Sequence, residues 1–183
     1  MKKLIITANP SSKGFTHVIS EKYVQLSKEK GDDTELLNLY TTDLKQDFLV
    51  YEDKKEIGTD VTVKKLQEKI LWADELVFIF PIWWGDAPAI MKNFIDCNFS
   101  AGFAFKYVKG RGVGLLTGKS ARFIVTSGAP AFYNRFILRI PFFWKFSRIG
   151  FCGLKQKSFT IFGSIDRSKT DKNKYLDEIK DLI

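Results

Sequence analysis

The run Glu75-Leu76-Val77-Phe78-Ile79-Phe80, followed by Pro81-Ile82-Trp83-Trp84-Gly85-Asp86-Ala87-Pro88, constrains this chain more than any other stretch. The apolar run has no polar position between Leu76 and Phe80, so it suits a strand buried on both faces, as in a parallel sheet covered by helices on each side. Beyond the loop, Ile90, Met91, Phe94, Ile95 and Cys97 recur at helical spacing. Pro88 suits the first turn of that helix, where its missing N–H is no loss. Trp83 and Trp84 thus stand in a loop at the carboxyl end of a buried strand, where open α/β sheets hold their ligands. Two indoles beside Gly85 point to a flat aromatic ligand packed against backbone.

The rest of the chain supplies the sheet that such a strand needs. Lys3–Ala8 reads as a first strand, and Thr16–Lys30 as a helix with Val18, Ile19, Tyr23 and Leu26 inward. Thr34–Leu39 alternates as a second strand, and Tyr40–Thr59 is a long polar connection without a period. Asp60–Trp72 reads as a helix capped by Asp60 or Thr59, with Val63, Leu66 and Ile70 on one face. Glu75–Phe80 is the third strand and Pro88–Asn98 the next helix; a Gly-rich passage, Lys109–Gly114, follows. Ala121–Ser127 and Gln156–Phe162 are the fourth and fifth strands, and Asp171–Ile183 a terminal helix. Strands spaced by helices predict a parallel sheet with right-handed crossovers. The fold class is α/β, a flavodoxin-like three-layer sandwich with five parallel strands in the order 2-1-3-4-5, over residues 1–183 as a single domain.

Composition removes several alternatives. A chain of 183 residues can bury roughly 70% of its unfolded surface without staples. Cys97 and Cys152 offer neither metal spacing nor a disulfide framework, so no metal site is expected. The apolar stretch after Met1 is too short for a signal-peptide core, which makes the cytoplasm the default compartment. The net charge of +8 comes without a basic stripe or a helix-turn-helix, zinc or RNA-binding signature, so no nucleic-acid partner is expected. It suits attraction of anionic small molecules. Ala131–Phe151 is strongly apolar and about the length of a span, but Arg135, Arg139, Lys145 and Arg148 are spread through it and Pro141 breaks it. It therefore does not read as a transmembrane helix. A substrate-covering or dimer-forming element suits it better, with an amphipathic surface anchor as the alternative.

In the expected strand order, three loops converge on one rim. The first, Ala8 to Thr16, offers hydroxyls, Gly14, Lys13 and the free N–H groups of a helix start as a phosphate cradle. It contains neither a Walker motif nor Gly-x-Gly-x-x-Gly. The second is Pro81–Ala87. The third, Thr126 to Tyr133, offers backbone and hydroxyl hydrogen bonds. A phosphate cradle with two aromatic or polar loops fits a flavin, its phosphate in the first loop and its isoalloxazine between the others. The one histidine, His17, lies at a helix start and reads as surface or cap rather than general base. A flavin enzyme needs no triad, because the cofactor carries the redox chemistry.

At these loops the sequence resembles the flavodoxin-like NAD(P)H:quinone oxidoreductases, which include DT-diaphorase and many shorter bacterial members. The residues concerned are Ala8-Asn9-Pro10 through Gly14-Phe15-Thr16, Phe80 to Trp84 with Pro88-Ala89-Ile90-Met91-Lys92, Gly102-Phe103-Ala104-Phe105, Gly114 to Lys119, and Phe151-Cys152-Gly153. The resemblance implies a homodimer with flavin sites at the subunit interface. It implies FMN or FAD as cofactor, and two-electron, ping-pong transfer from NAD(P)H to a quinone or nitroaromatic acceptor. Carried over by position, Asn9, Ser11, Lys13, Gly14, Phe15 and Thr16 hold the phosphate end, and Pro81, Ile82, Trp83 and Trp84 line the isoalloxazine. Thr126, Ser127, Gly128 and Ala129 meet its pyrimidine side; Phe103, Phe105 and Tyr133 form the acceptor pocket, with Tyr133 the catalytic candidate. Relatives commonly have His at the position of Asn9 and Ser at that of Gly14, and a His after the fourth strand that this chain lacks. The chain ends soon after the fifth strand's helix, without the larger relatives' extension, which favours FMN over FAD. Two other readings stand beside this one. A flavodoxin-like electron carrier would lack a nicotinamide site, and such carriers are usually acidic. A regulatory or peripheral membrane subunit would use Phe142-Phe143-Trp144 as a contact patch.

Overall fold

Strands and helices alternate as their hydrophobic periods dictate. β1 (Lys2–Thr7), α1 (Phe15–Glu29), β2 (Asp33–Asn38), α2 (Val61–Trp72), β3 (Glu75–Pro81) and α3 (Ala89–Asn98) come first. A hairpin of β4 (Phe105–Val108) and β5 (Arg111–Gly114) precedes β6 (Ser120–Thr126), short helix α4 (Ile140–Phe143), β7 (Lys155–Phe162) and α5 (Lys172–Glu178). The computed structural model describes residues 1–53 and 56–183, so Lys54 and Lys55 of the long connection before α2 lie outside the described residues.

One sheet runs β2-β1-β3-β6-β7 with every neighbouring pair parallel, which is the expected flavodoxin-like order with the hairpin set apart as its own small sheet. β3 is buried at all seven positions. Its side chains alternate between faces: Leu76, Phe78 and Phe80 pack in the layer of α2 and α3, while Val77 and Ile79 pack against Ile19 and Tyr23 of α1. Phe123 stacks between Phe78 and Phe159 at centroid distances of 5.0 and 4.9 Å. Trp144 closes this stack, 5.0 Å from Phe123 and 5.4 Å from Phe80. A buried aromatic side chain removes roughly 150–250 Å² from water, so Trp144 anchors the 131–149 stretch to the core.

Four details depart from the sequence expectation. Trp144 is fully buried, so a contact patch cannot include it beside exposed Phe142 and Phe143. Val18 is exposed, because α1 lies on the sheet through Thr16, Ile19, Ser20, Tyr23 and Ser27, a stripe from which position 18 is rotated away. The Gly-rich passage is part of a hairpin, whose four-residue strands are too short to display a period. The terminal helix is α5 followed by a separate 3₁₀ turn, Ile179–Leu182.

Asp60 caps α2, accepting from the Thr62 and Val63 N–H groups at 2.7 and 3.2 Å. All five main-sheet strands being parallel, their carboxyl ends open on one rim. The loops after β1, β3, β6 and β7 therefore meet there.

Candidate active site

The first loop is held by its own side chains. Asn9 donates from Nδ2 to Thr16 Oγ1 at 2.8 Å and accepts the Ser11 N–H on Oδ1 at 3.0 Å. His17 Nε2 lies 3.1 Å from the Asn9 carbonyl, so the histidine serves as a loop clamp. A Cβ on Gly14 would stand 2.5 Å from Asn9 Nδ2, so only glycine allows this close approach. Gly14 gives α1 no side-chain cap, and no acidic residue occupies its first turn. The helix start is therefore electropositive and open to an anion. Thr16 Oγ1 already accepts from Asn9, which leaves its proton to donate.

The second loop is a tight turn in which Trp83 and Asp86 exchange backbone hydrogen bonds of 2.9 and 3.0 Å. Trp84 and Gly85 take φ of 50° and 80°, the paired left-handed conformation of a two-residue hairpin turn. A tryptophan in that region stores about 1–3 kcal/mol of strain and persists because the surroundings fix it. Those surroundings are identifiable. The Arg148 guanidinium pairs with the Asp86 carboxylate, and Arg148 lies 4.6 Å over the buried Trp144 ring. The turn is thereby fastened to the core.

The third loop holds two hydroxyls of different status. Ser127 Oγ accepts from the Ala129 N–H at 3.1 Å and Asn134 Nδ2 at 2.9 Å, leaving its proton as a donor. Thr126 Oγ1 is fully buried at the rim and has no hydrogen-bond partner among the described residues. A buried unpaired hydroxyl costs about 1–3 kcal/mol, so its presence at a cleft indicates a ligand or water that completes it.

Together these loops line a cleft of about 340 Å³, bounded by Asn9, Gly14, Phe15 and Thr16, by Pro81, Ile82 and Trp83, and by Thr126, Ser127 and Gly128. That volume lies at the low end for small-molecule sites, roughly 300–1,000 Å³, and suits a flat ring. Ser11, Lys13 and the fully exposed Trp84 lie outside the lining, as does Ala129. Phe103, Phe105 and Tyr133 do not reach it either; Phe105 packs on Phe151, and Tyr133 sits, exposed, at the start of a π-helical turn. The cleft also takes in Ile165, Asp166 and Lys172 from beyond β7, which sequence reasoning missed. The signal was available: the fifth strand of a parallel sheet ends on the same rim. Lys172 Nζ lies 5.7 Å over the Phe15 ring at the start of α1, placing a cation beside the anion-ready helix end.

A cavity of similar size, about 350 Å³, lies beneath the connection before α2, away from the strand ends. It contains Cys97, whose thiol is pushed up by burial and stays protonated, so no activated nucleophile stands there. The rim cleft, with an open helix start and an unpaired hydroxyl, is the candidate site. Among the described residues no group of three or more His, Cys, Asp or Glu could hold a metal ion.

A family model described as flavodoxin-like fold matches residues 1–183. The chain belongs to this family. Its relatives include proteins named NAD(P)H oxidoreductase and FMN-dependent NADH:quinone oxidoreductase. An uncharacterised NAD(P)H oxidoreductase of Haemophilus influenzae is 30% identical over 172 residues, covering 90% of this chain and 85% of the relative. An FMN-dependent NADH:quinone oxidoreductase of Clostridium beijerinckii is 30% identical over 191 residues, covering 98% and 94%. Among solved structures, Smu.1420 from Streptococcus mutans superposes with a TM-score of 0.86 at 33% identity, covering 100% of this chain and 98% of that one. The flavodoxin-like sheet explains the position of the cleft, because the switch point lies between β1 and β3 with β6 beside it.

Proposed function

We propose that residues 1–183 form a single flavin-binding domain that transfers two electrons, by a ping-pong sequence, from NAD(P)H to a quinone or related acceptor. The observation that carries this reading is the rim cleft, with an uncapped helix start at one end and the unpartnered Thr126 hydroxyl beside Trp83 and Ile82. These residues fit FMN. The N–H groups at the start of α1, the Thr16 hydroxyl and the Lys172 ammonium would hold its phosphate end, and Pro81, Ile82 and Trp83 would lie along its ring. The Thr126 and Ser127 hydroxyl protons would serve its polar edge. When bound, FMN supplies the two-electron redox chemistry, and the protein supplies position and electrostatics.

The chain's own residues bind, orient and exclude water. Ile82 and Trp83 form an apolar wall, and the Arg148–Asp86 pair keeps the Trp83 turn in place. In a single protomer Trp84 is fully exposed and Phe103, Phe105 and Tyr133 stay off the cleft. That distribution supports a homodimer in which a second copy covers Trp84 and the acceptor pocket is completed across the interface.

The test is direct. Protein reconstituted with FMN is expected to be yellow, absorbing near roughly 450 nm as bound flavins do, and to bleach anaerobically with NADH or NADPH. Adding a quinone should restore the colour, and steady-state rates at varied quinone should give parallel double-reciprocal lines. Failure to bind either FMN or FAD defeats the reading; bleaching only through a partner reductase would make the chain an electron carrier.

A further inference from the structure

The loop after β7 is zipped to the third loop of the cleft. Ser127 donates its N–H to the Phe162 carbonyl at 2.9 Å. The Ser164 and Ile165 N–H groups donate to the Ala129 and Ser127 carbonyls at 3.0 and 3.1 Å. Ser164 takes φ of 57°, in the left-handed region that a residue with a Cβ rarely adopts. The Thr170 hydroxyl and the Arg167 N–H both donate to its carbonyl, at 2.6 and 3.1 Å, and hold that conformation. This anchored, strained loop delivers Asp166 to the wall of the cleft, where a Cβ on Gly128 would stand 2.5 Å from Asp166 Oδ2. The carboxylate rests against the third loop because residue 128 has no side chain to exclude it.

Asp166 is the one carboxylate among the residues that line the cleft. No hydrogen bond or ion pair engages it among the described residues; Lys172, the cation of the lining, leans on the Phe15 ring instead. The Thr16, Thr126 and Ser127 hydroxyls and the Lys172 ammonium all have protons to give, and the Asn9 Oδ1 is taken by the Ser11 N–H. FMN carries donors as well as acceptors, namely the ring N3–H and the ribityl hydroxyls, and Asp166 is the free side-chain acceptor that could meet them. On the flavin-binding reading, on which this inference rests, we propose that Asp166 accepts a hydrogen bond from bound FMN and that its charge holds the flavin's reduction potential down. A negative charge beside a cofactor disfavours the state that gains electrons. A carboxylate accepting from the flavin acts in the same direction. The lower potential makes the reduced cofactor a stronger donor to its acceptor.

The experiment is the midpoint potential of FMN bound to the full chain, by anaerobic equilibration with a reference dye and without nicotinamide or quinone. Asp166→Asn keeps the shape and removes the charge. It is expected to shift the equilibrium toward reduced flavin by about tenfold, or about 30 mV for a two-electron couple. Asp166→Glu keeps the charge and should stay within about twofold of the parent. Asp177→Asn makes the same charge change on the exposed side of α5 and should leave the potential as it is. Asp166 is exposed, so thermal unfolding of its variants should match the parent and verify folding. Binding of 3-methyl-FMN, which lacks the ring N–H, separates the two donors. A penalty for methylation of about tenfold in the parent that vanishes in Asp166→Ala assigns the contact to N3–H. An equal penalty in both, with the potential still shifted, assigns it to a ribityl hydroxyl. An unchanged potential in Asp166→Asn, or an equal rise in Asp177→Asn, would overturn this proposal and leave flavin binding intact. Failure of the parent to bind FMN would overturn both.

Discussion

The two rims of the sheet differ in how they treat charge. At the amino-terminal rim charges are buried and matched. Lys3, 1% exposed, pairs with Asp32 at 2.6 Å, and Asp32 also accepts the terminal amine at 3.1 Å. Glu75, fully buried, is held by Arg122 and Lys157 at 3.0 and 2.9 Å. Lys119 closes the same rim by donating to the Leu71 and Ala73 carbonyls at 2.6 and 2.5 Å. At the carboxyl-terminal rim the groups are left wanting: an uncapped helix start, an unpaired Thr126 hydroxyl and an exposed indole in a strained turn. A satisfied network stabilises the fold and offers a ligand nothing, whereas an incomplete one lowers stability until something completes it. This contrast in charge pairing supports the carboxyl-terminal rim as the proposed binding site. Unpartnered buried oxygens by themselves do not separate the rims, since Thr34 and Gln156 at the amino-terminal strand starts also carry one each among the described residues.

The largest effect should come from breaking the closed rim. Asp32→Ala strands the Lys3 ammonium in the core and is expected to cost about 3–5 kcal/mol in urea unfolding. FMN affinity of the folded protein should remain as in the parent. Burial works against ionised Asp32, but hydrogen bonds from Lys3 and the terminal amine outweigh it and hold its carboxyl below the usual range. Because the folded pKa is depressed, this stabilisation is complete above the ordinary carboxylate pKa and is lost as pH falls through the lowered value. Stability measured on acidification should decline accordingly, and more steeply than in the Ala variant.

At the open rim, Gly14→Ala forces a Cβ against the Asn9 amide and should weaken FMN binding by about tenfold, roughly 1.4 kcal/mol, read by flavin fluorescence titration. Thr126→Val separates binding from folding more cleanly. Removing an orphaned hydroxyl should leave stability equal or higher by up to about 1 kcal/mol while FMN affinity falls about fivefold. A loss of stability there would mean that the hydroxyl is already satisfied, and would blur the contrast between the rims. Away from both rims, Asp60→Ala should cost about 1 kcal/mol by uncapping α2. The Val63 and Thr62 N–H groups hold this carboxyl below its usual range, so its contribution is likewise present near neutrality and lost in acid.

Much of this was legible in residue order because it rests on short-range periods. The run Leu76 to Phe80 announces a strand buried on both faces, and Asp60 before Val63, Leu66 and Ile70 announces a capped amphipathic helix. Proline and glycine around Trp83 and Trp84 place those indoles in a loop, where the structure has them. Alternation of strand and helix then dictated parallel pairing, and so a rim shared by the loops after β1, β3 and β6.

Other features depend on contacts that no local pattern encodes. Trp84 and Trp83 are neighbours in sequence, yet only Trp83 lines the cleft, because a left-handed turn pinned through Asp86 and Arg148 sends the next indole into solvent. Trp144 and Phe143 are equally apolar neighbours, and only packing on Phe78, Phe80 and Phe123 buries one and leaves the other outside. Lys172 reaches Phe15 at the start of α1 from 157 positions away. Period and punctuation determine which segments become strands, helices and loops, since those depend on neighbours a few residues apart. Which side chains of a loop face the cleft, and which distant cation joins them, depends on the close packing of separate segments, and only the folded molecule decides it.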